Sequence, residues 1–209
     1  MGLPIDFWFD FSCPYAYLAS TQRHRLAREA GSVLTPQPFL LGGVFRALGQ
    51  AQNLSTILSP AKARHNRLDV IRWADFLGVP LASPHMHPNR TVLALRTLLA
   101  APHPQWDALI DAYFRLYWAE QQDLSDPAVI GACLTALGLD ARGLLAAAAT
   151  ASIKDELRDR TERALAAGVF GAPAFVVDGQ LFWGQDRMQL VVRAAAGWRP
   201  DLQQAAFAF

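Results

Sequence analysis

The sequence predicts an α/β fold in which a block of helices interrupts a small sheet. Near the start, the strand-like run Ile5–Phe11 leads into a helix that begins at Pro14. Near the end, Asp178-Gly179 joins two short apolar runs, and this dipeptide is typical of a two-residue hairpin turn. Between residues 44 and 151 the chain carries helix signals and no strand signals. The predicted order is therefore βαβ, a helical block, and then αββα.

The composition limits the class of partner and the compartment. The 209 residues, 52% of them hydrophobic, suffice for one large domain or for a domain with an insertion. Because 19 Lys and Arg balance 18 Asp and Glu, we expect no nucleic-acid or anionic-membrane partner. Asp6 and Asp10 interrupt the first apolar run, so we expect no secretory signal, and no run is long enough to span a membrane. Two distant cysteines, Cys13 and Cys133, are typical of a cytoplasmic protein.

The junction between the first strand and the first helix carries the first candidate site residue. Pro14 fits the first helical turn, where its missing N–H costs nothing. Cys13 would then cap the helix, where unpaired backbone N–H groups and the helix dipole lower the pKa of a thiol from about 8.5 to roughly 3.5–7.5. This pattern predicts a reactive thiol, although an ordinary buried cysteine fits the residue type equally well.

A second strand is predicted after the first helix. That helix is expected to end near Ala30, with Gly31 as its stop. The strand, Val33–Leu41, contains two prolines that cannot donate to a ladder, which places it at a sheet edge. The order of strand, helix and strand predicts a right-handed crossover and a parallel pair. Gly42-Gly43 would close this unit.

The middle of the chain is predicted to be a series of helices. Apolar spacing and Pro, Gly and Asp boundaries define five of them: Pro60–Leu77, Pro88–Ala101, Pro104–Gln121, Asp126–Gly138 and Asp140–Ala149. Five consecutive helices without a strand indicate a helical subdomain inserted into an α/β domain.

A long helix is predicted after this block. Ser152 would open it, with Asp155 at the third position as a variant of the capping box. Glu156 and Arg160 form an i, i+4 pair, which we interpret as part of a solvent-exposed face.

The C-terminal part completes the outline of the fold. The predicted hairpin joins Ala174–Val177 to Gln180–Trp183, and a last helix runs from about Asp186 to Ala196. This order is the outline of a thioredoxin-like fold with an inserted all-helical subdomain. We predict a thioredoxin-like domain from residues 1–43 and 152–209, and a helical insertion at residues 44–151.

Three stretches of the chain carry a family resemblance. They are FDFSCPYAYL near the start, RWADFLGVPL in the middle and GVFGAPAFVVDGQLFWGQDRM near the end. Together they resemble the 2-hydroxychromene-2-carboxylate isomerases and their kappa-class glutathione transferase relatives, in the DsbA-like branch of thioredoxin folds. The resemblance implies a glutathione-binding homodimer that acts on a small aromatic molecule. It also implies an active site at the start of the first helix.

The resemblance assigns roles to residues of the glutathione site. It implies that Pro173 follows a cis peptide bond and faces Cys13. The backbone of Ala172 would pair with the cysteinyl unit of glutathione as an added strand. Gln185 and Asp186 would hold the γ-glutamyl end, with the carboxylate of Asp186 on the ligand ammonium.

Two further residues match the family less closely. Lys62 falls where the family often has a basic residue near the glycine carboxylate of glutathione. Asn89 matches an asparagine near the substrate pocket. His85 and His87 suggest a metal at first sight, but no Cys or carboxylate lies at ligand spacing, so we expect no metal.

Position 13 departs from the family pattern. The isomerases and kappa transferases usually have serine before Pro-Tyr, and this chain has Cys13. DsbA-type oxidoreductases have a second cysteine where Ala16 stands here, so an intramolecular dithiol cycle is excluded. In the family mechanism the serine hydroxyl donates to the glutathione sulfur. The glutathione thiolate then adds to the chromene and converts a double bond into a single bond that can rotate. After rotation, expulsion of glutathione gives trans-o-hydroxybenzylidenepyruvate.

Three functions stay open for a chain with cysteine at this position. Cys13 could be the hydrogen-bond donor of a glutathione-dependent isomerase, or the single nucleophile of a glutathione-linked thiol transferase or oxidoreductase. A binding protein without activity could also use the glutathione cleft. The sequence favours the isomerase, because the C-terminal stretch follows that group closely.

Overall fold

The computed structural model describes residues 1–51, 53, 57–82, 84 and 87–201. In these residues one four-stranded sheet is formed by β1 (Ile5–Phe9), β2 (Leu34–Pro38), β3 (Ala174–Val177) and β4 (Gln180–Trp183). The strand order is β2-β1-β3-β4. β1 pairs in parallel with β2, and β3 is antiparallel to both β1 and β4. The predicted parallel pair and hairpin are therefore confirmed.

Local sequence explains both ends of this sheet. The proline-containing β2 occupies an edge, as predicted, and stops at Pro38 before Leu41. The hairpin turns at Asp178 and Gly179, whose φ angles are 47° and 76°. Two consecutive residues with positive φ match a type I′ turn, whose twist agrees with that of the strands.

Nine α-helices surround the sheet in the described part of the chain. They are α1 (Pro14–Ala30), α2 (Leu41–Ala47), α3 (Pro60–Leu77), α4 (Val92–Ala100), α5 (Trp106–Trp118), α6 (Pro127–Ala136), α7 (Ala141–Ala148), α8 (Ala151–Ala166) and α9 (Met188–Ala195). Short 3-10 helices cover His103–Gln105 and Gln185–Arg187. The fold is therefore α/β and thioredoxin-like, with a run of helices between β2 and β3.

Some predicted helix boundaries differ from the structure. Helix α2 begins at Leu41 and continues through Gly42-Gly43, so the division between residues 43 and 44, which stays a prediction, falls inside a helix. Helix α4 begins at Val92 rather than at Pro88, which follows a cis peptide bond.

The start of α8 was also predicted at the wrong residue. Thr150 is the N-cap, and its side chain accepts from Ile153 N–H, so Ser152 and Asp155 form no capping box. Asp155 instead pairs with Arg158, at 2.8 Å.

Arg160 does not belong to a solvent-exposed face. Its side chain is 13% exposed, and its predicted pair with Glu156 is present at 3.0 Å. The guanidinium also donates to Gln37 Oε1 and lies over the Trp106 ring, 5.3 Å from the ring centroid. These contacts join α8 to β2 and α5, so the interpretation of an exposed face was wrong.

Aromatic rings fill the core on one face of the sheet. The Phe7 ring stacks at 5.2 Å on the rings of both Phe9 and Phe175, and Phe11 meets Phe114 of α5 at 4.9 Å. Rings at these spacings combine apolar burial with favourable stacking. This packing, with β2 and β3 paired on either side of β1, fixes the position of the residues that follow the central strand.

Candidate active site

Cys13 lies where β1 leads into α1. It is the N-cap residue of α1, with φ −97° and ψ 119°, and Pro14 follows in the first turn. Its thiol is buried and donates a hydrogen bond to the carbonyl oxygen of Ala172, with Sγ and O 3.0 Å apart. The Ala172–Pro173 peptide bond is cis. The prediction that Pro173 is cis and lies close to Cys13 is confirmed.

Burial raises the pKa of the Cys13 thiol from an ordinary 9.0 to about 12. The backbone N–H groups of Ala16 and Tyr15 lower this pKa by less, and the charge of Asp10 raises it further. The free energy needed to remove a thiolate from water is therefore larger than the stabilisation that the backbone N–H groups at the start of α1 provide. The predicted lowering of this pKa was wrong. At neutral pH the Cys13 thiol is protonated and acts as a donor.

A buried carboxyl group, Asp10, supports the site and was missed as a site residue. Its Oδ1 accepts from Ser12 N at 3.0 Å, Ser12 Oγ at 3.1 Å and Thr91 Oγ1 at 2.6 Å, and its Oδ2 accepts from Leu41 N at 2.9 Å. Burial raises the pKa of the Asp10 carboxyl. The signal that could have found it is an acidic residue within an aromatic run just before Cys13.

Helix α3 packs beside the start of α1. The Tyr15 hydroxyl donates to Asp69 Oδ2 at 2.9 Å. Burial raises the pKa of the Tyr15 hydroxyl, and the hydrogen bond to Asp69 and the charge of Asp69 raise it further. Lys62 lies on the same side of α3 as Asp69, two helical turns and about 10 Å nearer to the start of the helix. The Lys62 side chain is exposed, and its role stays a prediction.

The end of β4 lies beside the loop that contains the cis bond. Gly184 N–H donates to the Pro173 carbonyl at 3.0 Å, and Gln185 and Asp186 follow. Gln185 is buried, whereas Asp186 is partly exposed and pairs with Arg187 at 2.5 Å. Gly184 has φ 114°, and a Cβ there would lie 2.5 Å from Asp186 Oδ1, so this turn requires glycine. The structure thus places Pro173, Gln185 and Asp186 at the end of the sheet where β1 leads to Cys13.

The segment before α4 lies against the same region. Asn89 N–H donates to the Tyr117 hydroxyl at 2.8 Å, and Tyr117 Oη is 3.0 Å from His87 Nδ1. The neighbouring Trp118 Nε1 donates to the Phe11 carbonyl at 2.9 Å. These bonds bring the segment to the start of α1. The substrate role of Asn89 stays a prediction.

Within the described ranges, no group of three or more His, Cys, Asp or Glu side chains could hold a metal ion. His85 lies outside the described residues, so the arrangement of His85 and His87 is not described. No helix in the described part of the chain is both long and apolar enough to cross a membrane.

Comparison with known proteins identifies the family. Residues 4–196 match the family model of the DSBA-like thioredoxin domain, so the chain belongs to the DsbA-like thioredoxin family. Within it, the chain is 32% identical over 191 residues to the 2-hydroxychromene-2-carboxylate isomerase of Sphingobium xenophagum, which covers 91% of this chain and 97% of that protein. The chain therefore belongs to the 2-hydroxychromene-2-carboxylate isomerase family, which is related to the kappa-class glutathione transferases.

Two further comparisons concern a kappa-class relative and the fold. The chain is 29% identical over 203 residues to glutathione S-transferase kappa 1 of Homo sapiens, which covers 90% of this chain and 88% of that protein. A solved structure of 2-hydroxychromene-2-carboxylate isomerase superposes with a TM-score of 0.82, covers 99% of this chain and 100% of its own, and shares 24% identity. That structure shows that the two proteins have the same fold.

Proposed function

We propose that this protein is a glutathione-dependent isomerase that converts 2-hydroxychromene-2-carboxylate-type aromatic catabolites to trans-o-hydroxybenzylidenepyruvate. The observation that carries the proposal is the hydrogen bond from the buried Cys13 thiol to the Ala172 carbonyl beside the cis bond. A donor at this position has the role that serine has in the family mechanism. The similarity to proteins named as isomerases and as a glutathione transferase supports the same conclusion.

The residues at this end of the sheet fit glutathione. The backbone of Ala172 and Pro173 would pair with its cysteinyl unit, while Gln185 and the partly exposed Asp186 would hold its γ-glutamyl end. Lys62 would contact the glycine carboxylate. When bound, glutathione supplies a thiolate that adds to the conjugated substrate and is expelled after bond rotation.

The raised pKa of Cys13 supports the isomerase over the glutathione-linked thiol transferase. A thiolate of Cys13 about 4 Å from a second thiolate would be repelled by roughly 4 kcal/mol at an effective dielectric constant near 20. A protonated Cys13 instead transfers its hydrogen bond from the Ala172 carbonyl to the anionic sulfur and stabilises it. The glutathione-linked thiol transferase is less favoured, because it needs Cys13 as an anion while burial opposes that charge.

The proposal extends to substrate, assembly and compartment. Asn89 would contact the aromatic acid. We propose a cytoplasmic homodimer, and large apolar side chains exposed on α3, which include Leu68, Ile71 and Phe76, are candidates for the contact between copies. The division into residues 1–43 with 152–209 and residues 44–151 is likewise proposed. Sedimentation of the purified protein tests the homodimer.

A turnover assay tests the isomerase function. The purified protein is mixed with 2-hydroxychromene-2-carboxylate, and ring opening is followed by absorbance with and without glutathione. We expect turnover that requires glutathione and persists in EDTA. Full activity without glutathione would refute the mechanism, and loss in EDTA with recovery in zinc would refute the absence of a metal. Rapid release of glutathione from mixed disulfides without ring opening would establish the thiol transferase instead.

A further inference from the structure

Asp10 is a buried carboxyl group whose hydrogen bonds come from uncharged donors. In the described residues these donors are the main-chain N–H groups of Ser12 and Leu41 and the hydroxyl groups of Ser12 and Thr91, at 2.6–3.1 Å. Burial raises the pKa of Asp10, while these four bonds lower it. The two N–H groups can only donate, so they favour the ionised carboxylate. The charge of this carboxylate is little screened, because the interior has a low dielectric constant.

The same carboxyl group holds the turn that leads to Cys13. Its Oδ1 accepts from both the N–H and the hydroxyl of Ser12, the residue directly before Cys13. The Cys13 N–H closes the turn by donating to the main-chain carbonyl of Asp10 at 3.2 Å. The main chain and the side chain of Asp10 thus both hold the turn from which the Cys13 thiol reaches the Ala172 carbonyl.

Two titratable side chains face this charge. Burial raises the pKa of the Cys13 thiol and that of the Tyr117 hydroxyl on α5, and the negative charge of Asp10 raises both further. Helices α2 and α4 contribute the Leu41 N–H and the Thr91 hydroxyl, which do not ionise in the pH range of enzyme assays. Tyr117 is also neutral in that range, because its pKa is about 12. The reactivity of Cys13 therefore reports the charge of Asp10.

We propose that Asp10 is a positioning residue that holds the Cys13 thiol in its neutral, hydrogen-bond-donating form. Its bonds to Ser12 fix the turn that carries the thiol, and its charge opposes the formation of a second anion three residues away. The use of this donor in catalysis rests on the proposed function, while the neutral state of the thiol does not.

The rate at which Cys13 reacts with methyl methanethiosulfonate tests this role. The rate is measured by mass spectrometry at pH 8 in the Cys133→Ala protein, in which Cys13 is the remaining cysteine. We expect loss of the charge in Asp10→Asn to lower the pKa of Cys13 by about one unit, which makes the reaction about tenfold faster. Asp6→Asn is the matched control: it removes one charge from β1, about 13 Å from Asp10, and should leave the rate unchanged.

Thr91→Val separates the effect of the charge from that of packing. It removes the 2.6 Å hydrogen bond to Asp10 Oδ1 and keeps the carboxylate. Both Thr91→Val and Asp10→Asn should lower the unfolding temperature, since each leaves a buried hydrogen bond unmade. Only Asp10→Asn should speed the reaction of Cys13. Equal acceleration in both variants would show that exposure of the sulfur controls the rate, and would overturn the inference.

The pH dependence of the rate gives a second measurement, with Asp10 in place. Far below the pKa of the thiol, the logarithm of the rate rises by one for each pH unit when only the thiol ionises. It should rise by less across the interval in which Asp10 loses its proton, because the new carboxylate opposes the thiolate. A slope of one from about pH 4 to about pH 10, or equal rates with and without Asp10→Asn, would overturn the inference.

These rates do not depend on turnover. Protein that shows the expected rates and does not open the chromene would refute the proposed function alone. Glutathione-dependent turnover by a protein whose Cys13 reacts at the same rate with and without the Asp10 charge would refute this inference alone.

Discussion

Replacement of Cys13 separates the two roles that a thiol at this helix start can have. With a pKa of about 12, roughly one thiol in 100,000 is ionised at pH 7, compared with about one in 100 for an ordinary thiol of pKa 9.0. As pH rises, the thiolate form should become the major form only above about pH 12. Cys13 is therefore expected to be a donor across the pH range in which enzymes are assayed.

A donor role predicts different results for serine and alanine. A hydrogen bond to a charged group contributes about 1.5–3 kcal/mol, so Cys13→Ala should lower kcat/KM about 10- to 150-fold. Cys13→Ser should keep or raise it, because a hydroxyl is a stronger donor than a thiol. The assay is glutathione-dependent ring opening, with Cys133→Ala as the control because that cysteine lies outside the candidate site.

A nucleophilic role predicts the opposite pattern. Both Cys13 variants would then be inactive, and Cys13 would react with iodoacetamide at pH 7 at least as fast as a free thiol. For the donor role, in contrast, we expect alkylation of Cys13 to be at least a thousandfold slower than that of an ordinary thiol, because the thiolate fraction is smaller by that factor. Measurement in the Cys133→Ala protein assigns the rate to Cys13. Inactivity of both variants together with fast alkylation would refute the reasoning.

Two further carboxyl groups provide tests. Burial raises the pKa of Asp10 above 3.8, so the folded protein keeps this proton at a pH where the unfolded chain has lost it. The stability of the wild type should therefore fall relative to that of Asp10→Asn as pH rises above about 3.8, and denaturation curves that keep a constant difference from pH 3 to pH 7 would contradict this. Asp186→Asn should weaken glutathione binding about tenfold by calorimetry, while the exposed Asp155→Asn should not; equal affinities would remove Asp186 from the site.

Features set by neighbouring residues could be predicted from the sequence. The dipeptide Asp178-Gly179 determines the hairpin turn that it forms. The prolines of β2 lack the N–H groups that an inner strand needs, so they place β2 at the edge of the sheet whatever the order of the other strands. Pro14 likewise marks the start of α1 correctly. The cis bond before Pro173 was predicted from the family resemblance, since a proline by itself favours trans.

Features that depend on distant parts of the chain could not be predicted. The sequence shows that Cys13 caps a helix, and this alone predicts a low pKa. The surrounding protein removes water from the sulfur, and that effect is larger. Arg160 shows the same limit, because Gln37 and Trp106 reach it from elements far away in the sequence. The four hydrogen bonds of Asp10 also include partners 31 and 81 residues away.

The position of Asp10 has a consequence for how the molecule opens. Its carboxyl group binds the backbone at the start of α2 and the side chain that precedes α4, as well as the turn that leads to Cys13. Helices α2 and α4 cannot separate from the sheet at these ends without leaving the oxygens of this group unpaired in a dry interior. Local fluctuation of one helix is thereby coupled to the others. The amide protons of Ser12 and Leu41 should accordingly exchange with solvent in one shared, rare opening event.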